Sequence, residues 1–252
     1  ALGFDAVATG HHARLMRNER GEMRVFRGGD SAKDQSYVVH MLEGRELERT
    51  LFPVGHMTKA EVRRIAAELG LRTASKPDSQ DVCFISTTGG RETFLGHRIP
   101  FHRATVVDTS GEQVGEVDAV ELVTIGQRRG IGLYRTEAKR FVVDVDTEAR
   151  KVVVGTEADL QRDSLALYSM VWAGGVPVAG RYRVQCSAHG TSLPCSVALV
   201  DGDKVQVTLD APHRRIAPGQ SAVLFDETDS YVVAGGLVST ASAWPVNVGA
   251  IA

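Results

Sequence analysis

Between Thr58 and Gly70 the apolar residues Val62, Ile65, Ala66 and Leu69 recur every three or four positions, the stripe of an amphipathic helix. Thr58 followed by Glu61 makes a capping box at its start, and Gly70 supplies the stop. Arg63, Arg64 and Glu68 are left to face water, so this helix reads as scaffold. Upstream, residues 5–10 form a short, unbroken apolar run ending at Gly10, the kind of strand that a parallel sheet covers on both faces. Met23–Arg27 reads as one arm of a hairpin turning across residues 18–21. Asp30 or Ser31 is placed to cap a helix with Tyr37, Val38, Met41 and Leu42 on one face. Residues 71–74 continue as a short strand, and residues 91–95 as a short helix after Gly89 and Gly90.

After Pro100 the period changes from helical to alternating. Residues 104–108, 113–117, 141–146 and 151–155 read as strands with Gly or Asp turns. From Ser164 onward strand follows strand: 165–173, 180–187, 193–200, 204–209, 221–226 and 231–238. Turns fall at Asp201-Gly202-Asp203 and Pro218-Gly219-Gln220, and this regular antiparallel spacing predicts a small barrel. The expected class is therefore α/β followed by all-β. Three domains are expected, at residues 1–98, 99–162 and 163–252. The opening Ala1-Leu2-Gly3-Phe4-Asp5 resembles the end of a helix with a Gly cap, and no methionine precedes it. The residues that should flank the first strand are missing, which predicts the C-terminal portion of a longer protein.

Composition narrows the class without naming a function. Of 252 residues, 43% are hydrophobic and 24% charged, as in ordinary globular proteins. A formal net charge of -2 argues against a uniformly basic nucleic-acid coat but leaves room for a local basic patch. Most of the 29 basic residues are arginine, which suits forked contacts to phosphate, although a genome-wide arginine bias gives the same count. No run of residues is long and apolar enough to span a bilayer, so no membrane partner is expected. Three cysteines, Cys83, Cys186 and Cys195, are an odd number with no Cys-x-x-Cys pair, which fits a reducing cytoplasm and offers no zinc framework. Cys195 sits inside an apolar strand and reads as core.

Four stretches carry candidate chemistry. Cys83 ends the polar, turn-prone run Lys76-Pro77-Asp78-Ser79-Gln80-Asp81-Val82 and precedes Phe84-Ile85. That places a thiol at the rim of a packed body, where Lys76 would raise its thiolate fraction and Asp78 and Asp81 would lower it. A half-buried structural cysteine fits the same residues. His11 and His12 follow the first strand, where open α/β sheets present ligand loops; two polar histidines on a surface turn are the alternative. Third and fourth metal ligands at suitable spacing are lacking, so no metal site is expected. Lys33, Asp34 and Gln35 fall in the first turn of the helix expected after Asp30, suited to phosphate or simply to water. Gly126, Gly130 and Gly132 frame Gln127, Arg128 and Arg129 in a basic loop that suits RNA, a domain interface or solvent.

Several of these stretches together carry a resemblance. Asp78-Ser79 followed by Cys83-Phe84-Ile85, preceded by Lys33-Asp34-Gln35-Ser36-Tyr37 and Leu51-Phe52-Pro53-Val54-Gly55, is similar to the bacterial tRNA-specific 2-thiouridylase family. Thr124 to Gly132 and Pro218-Gly219-Gln220 match it in the same order, so five motifs cover nearly the whole chain. The resemblance implies the tail of an adenine-nucleotide alpha-hydrolase-like (PP-loop) parallel-sheet domain, a β-rich central domain and a C-terminal β-barrel. It implies ATP-dependent transfer of persulfide sulfur to C2 of the wobble uridine (U34) of tRNA. In that chemistry ATP with Mg2+ turns the carbonyl oxygen into a leaving group, and a persulfide on Cys83 delivers sulfur. Gly10 inherits a place in the ATP site. His11, Lys33, Asp34, Gln35, His189 and Gln220 inherit contacts to tRNA. A persulfide sulfur-carrier protein or cysteine desulfurase would load the sulfur, and a cytoplasmic monomer is expected.

The chain also departs from the family pattern. The Ser-Gly-Gly-x-Asp-Ser phosphate loop and the Asp-x-x-Cys pair do not occur in it, so activity of this chain alone is not expected. A non-catalytic tRNA-binding fragment is the main alternative. A cysteine hydrolase pairing Cys83 with His11 or His12 is a third reading, without an evident orienting group.

Overall fold

The computed structural model of the chain describes residues 3–76, 90–134, 138–241 and 243–244. Cys83 lies outside the described residues. Two compact units emerge: Ala1–Lys76 with Asp163–Pro212 and Pro218–Ala252, and Pro77–Arg162 with His213–Ala217.

The first unit opens with β1 (Val7–Ala8), which pairs in parallel with β4 (Thr50–Leu51). Between them β2 (Ala13–Arg17) and β3 (Met23–Arg27) form the expected hairpin. Its turn is set by Asn18, whose side-chain oxygen accepts from the backbone N–H of Arg20 and Glu22 at 3.0 and 2.9 Å. After a short helix, α1 (Gly44–Arg49), the capping-box helix appears as α2 (Lys59–Glu68). The backbone N–H of Thr58 donates to Glu61 at 2.7 Å, and that of Glu61 donates back to the Thr58 hydroxyl at 3.3 Å. Gly70 takes φ +67 just past its end, as a left-handed stop requires.

Two expected elements are absent. No helix covers residues 34–42; a single 3-10 turn, Ser31–Lys33, stands there instead. Asp30 and Asp34 each bond nearby backbone N–H groups, which diverts the chain from helical pairing. Tyr37, Val39 and His40 are buried while Val38 and Met41 face solvent, so the supposed stripe does not exist. Residues 71–74 are likewise not a strand. Ala74 donates to the Leu71 carbonyl and Lys76 to that of Thr73, consecutive turns that leave no ladder to pair.

The second unit begins with a short helix, α3 (Arg91–Gly96), where one was expected. Strands β5 (Ala104–Asp108), β6 (Gln113–Val117), β7 (Phe141–Asp146) and β8 (Lys151–Gly155) match the alternating runs residue for residue. They form one sheet in the order β6-β5-β8-β7, parallel only between β5 and β8. Val106, Val120, Val142, Val152 and Val154 fill its core without exposure. Gly132 takes φ +58 and crosses the sheet so closely that a Cβ would meet the Glu116 carbonyl oxygen at 1.6 Å.

The chain then returns to the first unit as a closed barrel. Its strands are β9 (Gln161–Trp172), β10 (Gly180–Gln185), β11 (Leu193–Asp201), β12 (Lys204–Arg214), β13 (Ser221–Phe225) and β14 (Val232–Val238). The order around the barrel is β10-β11-β12-β9-β14-β13, and full closure leaves no open edge. Gly235 lies under His40, whose ring would be 2.1 Å from an added Cβ. Ala13, Val25, Tyr37, Val39 and Leu47 share one core with Ala173, Val223, Phe225 and Val232 of the barrel. Full burial of each larger side chain contributes about 1.5–3 kcal/mol, so this seam holds the N-terminal segment to the barrel. Among the described residues no helix is long and apolar enough to cross a membrane.

Two glycines of the second unit, Gly111 and Gly132, separate strain from crowding. Gly111, at φ +90 with open space around it, should lose about 1–2 kcal/mol as Gly111→Ala. Gly132→Ala adds a clash with a carbonyl held by strand pairing and should cost at least about 2 kcal/mol more. Urea unfolding followed by circular dichroism measures both; equal losses would refute the close crossing.

Candidate functional site

The segment after β3 is fixed by two aspartates. One Asp30 oxygen accepts from the Ala32 N–H at 3.1 Å and the other from the Lys59 N–H at 2.9 Å, at the start of α2. The bond from Lys59, above all, holds the Asp30 carboxyl below the usual carboxylate range. Asp34 accepts from the Gly28 and Ser36 N–H groups at 2.7 and 3.2 Å, from the Ser36 hydroxyl at 2.7 Å, and from Arg27 at 2.9 Å. Gln35 pairs with His12 through both backbone and side chain: its N–H donates to the His12 carbonyl, and its Oε1 accepts the His12 N–H at 2.9 Å. Lys33 stands exposed. The three residues expected in a helix first turn thus divide: Asp34 and Gln35 build the turn, and Lys33 faces solvent.

Arg27 is the hub. Its Nη1 donates to Asp34 at 2.9 Å and to Gln185 Oε1 at 2.6 Å, and its Nη2 donates to Asp229 at 2.5 Å. The guanidinium lies 3.5 Å from the centroid of the Phe225 ring. Asp229 also accepts from the Ser192 hydroxyl at 2.7 Å, and Ser192 is gripped by Arg183 through Nε at 3.1 Å and Nη2 at 2.8 Å. Beside this network opens a cavity of ≈ 590 Å³, with Gly28, Ser31 and Asp34 on one wall and Arg183, His189 and Ser192 on the other. Asp34 and His189, far apart in the chain, therefore meet at one cavity.

The other expected residues lie elsewhere. The His11 ring stands edge-on to Phe52 at 5.9 Å and its Nδ1 is 2.8 Å from the Thr9 hydroxyl, in a second cavity of ≈ 550 Å³. His12 is buried, with its ring Nδ1 unpaired. Gln220 is exposed on the turn before β13 and lines neither cavity. Gly10 is exposed, and a Cβ there would meet nothing within 4 Å. Among the described residues none crowds Gly10, so it stands open to solvent after β1. In the basic loop, Gln127 accepts from the Thr124 N–H at 3.0 Å and donates to the Arg129 carbonyl at 2.8 Å, which makes it a brace of the loop itself. Sequence reasoning missed Arg27, Gln185, Ser192 and Asp229. Asp229 adopts φ +60 in a tight turn, a conformation that Asp and Asn tolerate but that no sequence pattern announced.

Three family descriptions match in order along the chain. They are a tRNA methyl transferase HUP domain at residues 1–87, a tRNA methyl transferase PRC-barrel domain at 92–156 and an aminomethyltransferase beta-barrel domain at 162–238. The tRNA-specific 2-thiouridylase MnmA of Acidothermus cellulolyticus is 44% identical over 90% of this chain and 63% of its own length. Those of Nocardioides sp. and Mycolicibacterium smegmatis are 43% and 42% identical, over 94% and 95% of this chain and 66% and 67% of theirs. The chain belongs to the tRNA-specific 2-thiouridylase family. It spans about two thirds of the length of the relatives it matches.

In a 2-thiouridylase chain the state of each thiol matters. Cys195 is fully buried in β11 and donates to the Tyr182 carbonyl, and Cys186 is buried just after β10. Burial pushes each thiol up from 9.0 to about 12; for Cys186 the charge of Cys195 adds to it. Both are free and both are inert by this measure. At pH 8 their thiolate fractions are about a thousandfold below that of a solvated thiol, so maleimide should label them that much more slowly. The same shift carries a stability signature. In the unfolded chain these thiols ionise near 9.0, while in the fold they stay protonated to about 12. Their contribution is complete below pH 9 and is lost as pH rises towards 12. The double variant Cys186→Ala, Cys195→Ala should flatten that alkaline fall in urea titrations; an unchanged slope would refute it.

Proposed function

We propose that this chain supplies the sulfur-bearing loop and much of the tRNA grip of a tRNA 2-thiouridylase acting on the wobble uridine U34. The observation that carries this reading is the 42–44% identity to proteins named tRNA-specific 2-thiouridylase along 90–95% of the chain. Cys83 bears the persulfide in this proposal. The outer persulfide sulfur, soft and polarisable, attacks C2 of the uridine and expels the adenylated oxygen as AMP; a second cysteine thiol of the enzyme then attacks the Cys83 sulfur, breaking the S–S bond to leave a disulfide on the protein and 2-thiouridine on the tRNA. The base must leave the anticodon stack to be reached, at a cost of a few kcal/mol that contacts to the tRNA backbone offset. Lys33 and His189 are the side chains offered to that backbone, one exposed at the end of the 3-10 turn and the other on the barrel wall of the cavity. Asp34 and Gln35 act by shaping the turn, and His11 and Gln220 contact other parts of the tRNA. ATP and Mg2+ belong to the proposal as cofactors of the complete enzyme, with none of the described residues assigned to them. A persulfide carrier or cysteine desulfurase loads Cys83, and the enzyme works as a cytoplasmic monomer.

The rival reading is a tRNA-binding module without catalysis of its own. Replacement of Cys83 by Ser in the complete enzyme decides between them. We expect 2-thiouridine, measured by mass spectrometry of digested tRNA, to disappear, while tRNA affinity by filter retention stays within about twofold, since a hydroxyl-for-thiol exchange removes no charge and almost no volume. Thiolation that survives the change removes Cys83 from the mechanism. If the unaltered protein binds tRNA in a salt-dependent way but never yields 2-thiouridine, the rival stands.

A further inference from the structure

We propose that Arg27 is a positioning residue for tRNA, holding the Asp30–Gln35 turn and the barrel loop that carries His189 as two walls of one binding cavity. This rests on the tRNA reading above and deepens it.

Three observations favour a positioning role over a direct contact. The charge of Arg27 is already met by two carboxylates, Asp34 at 2.9 Å and Asp229 at 2.5 Å, so little remains for a phosphate. Four of its five N–H donors are used: two from Nη1 on Asp34 and Gln185, one from Nη2 on Asp229, and Nε on the Asp229 carbonyl at 3.4 Å. One face is closed by Phe225. The backbone is held as well, with the Arg27 N–H donating to the Ser230 carbonyl and its own carbonyl accepting from Arg14 Nε at 2.7 Å.

The partners of this one side chain come from three places. Asp34 orders the turn that bears Lys33. Gln185 ends β10 and donates onward to the Ser187 carbonyl at 2.8 Å, at the start of the loop that carries His189. Asp229 sits in the turn before β14 and holds Ser192 at the other end of that loop. Arg27 thus grips both ends of the His189 loop and the Asp34 turn together. A guanidinium can do this because its donors diverge in one rigid plane; an ammonium is a point charge and cannot hold three acceptors at these angles.

The test uses the complete enzyme with steady-state thiolation at varied tRNA. Arg27→Lys keeps the charge and should raise KM for tRNA roughly tenfold, because misplacing a contact wall by about an ångström costs that much or more. At saturating tRNA kcat should stay within about twofold, since binding energy alone has been lost. A merely structural role predicts the opposite split, because partial unfolding reduces the active fraction and so kcat, leaving KM unchanged. Asp229→Asn tolerates the same φ +60 and removes one carboxylate; it should shift KM in the same direction, and it carries the test if Arg27→Lys fails to fold. A fall in kcat at constant KM, or no change in either, overturns the proposal. Absence of tRNA binding and thiolation in the unaltered enzyme would instead overturn the functional reading, and this proposal with it.

Discussion

The seam between the N-terminal segment and the barrel is the constraint on which the rest of the first unit depends. Two kinds of interaction meet there and they do different work. Val25, Val223, Phe225 and Val232 are buried almost completely, and at about 1.5–3 kcal/mol for each larger side chain they provide most of the attachment. Apolar contact is non-directional, however, and leaves the N-terminal segment free to sit in more than one register. The Arg27 cluster removes that freedom. Its side chain is 21% exposed and that of Asp34 11%, so these bonds act where water competes weakly. The Arg64–Glu68 pair on α2 is 64% and 59% exposed and contributes at most about 1 kcal/mol.

That division explains what could be read from the chain beforehand. Strands β5 to β8 and the barrel follow from alternation because each has one buried face, and a slip by one residue would expose it. The capping box at Thr58 and the turn at Asn18 are local devices, complete within four or five residues. Where reading failed, a distant partner or unrecognised turn chemistry decided. Residues 37–42 carry helical spacing, yet Tyr37 is drawn inward by its hydroxyl bond to the Ser221 carbonyl, 184 residues away. Asp34 meanwhile spends its carboxylate on Gly28, Ser36 and Arg27 instead of on a helix start.

The candidate site shows the same limit more sharply. Lys33, Asp34 and Gln35 read equally well as a phosphate-binding helix start or a solvated turn until the resemblance tipped the balance, and His189 stood out through resemblance alone. The geometry then separates residues that resemblance had placed together: Asp34 and His189 share a cavity, while His11 and Gln220 lie apart from it. Arg27 and Asp229 are 202 residues apart, and no local pattern links an arginine at a strand end to an aspartate in a hairpin turn. Pairings of this length are visible only once the barrel has closed.

Sulfur transfer imposes a further requirement that bears on the barrel. A persulfide passes its outer sulfur to whichever thiolate reaches it, at a rate set by thiolate fraction and access. Under the proposed function, any spare thiolate near the proposed binding cavity would therefore divert sulfur from the base. Cys186 stands just after Gln185, which Arg27 holds, so it is close along the chain to the proposed binding wall. Burial answers the problem twice, by closing access and by holding the thiol protonated up to about 12. Under the proposed function, the packing that makes Cys186 and Cys195 part of the barrel core also keeps them out of the chemistry. A polar substitution that opened the barrel beside Cys186 would thus harm the reaction in a way that its effect on stability alone does not measure.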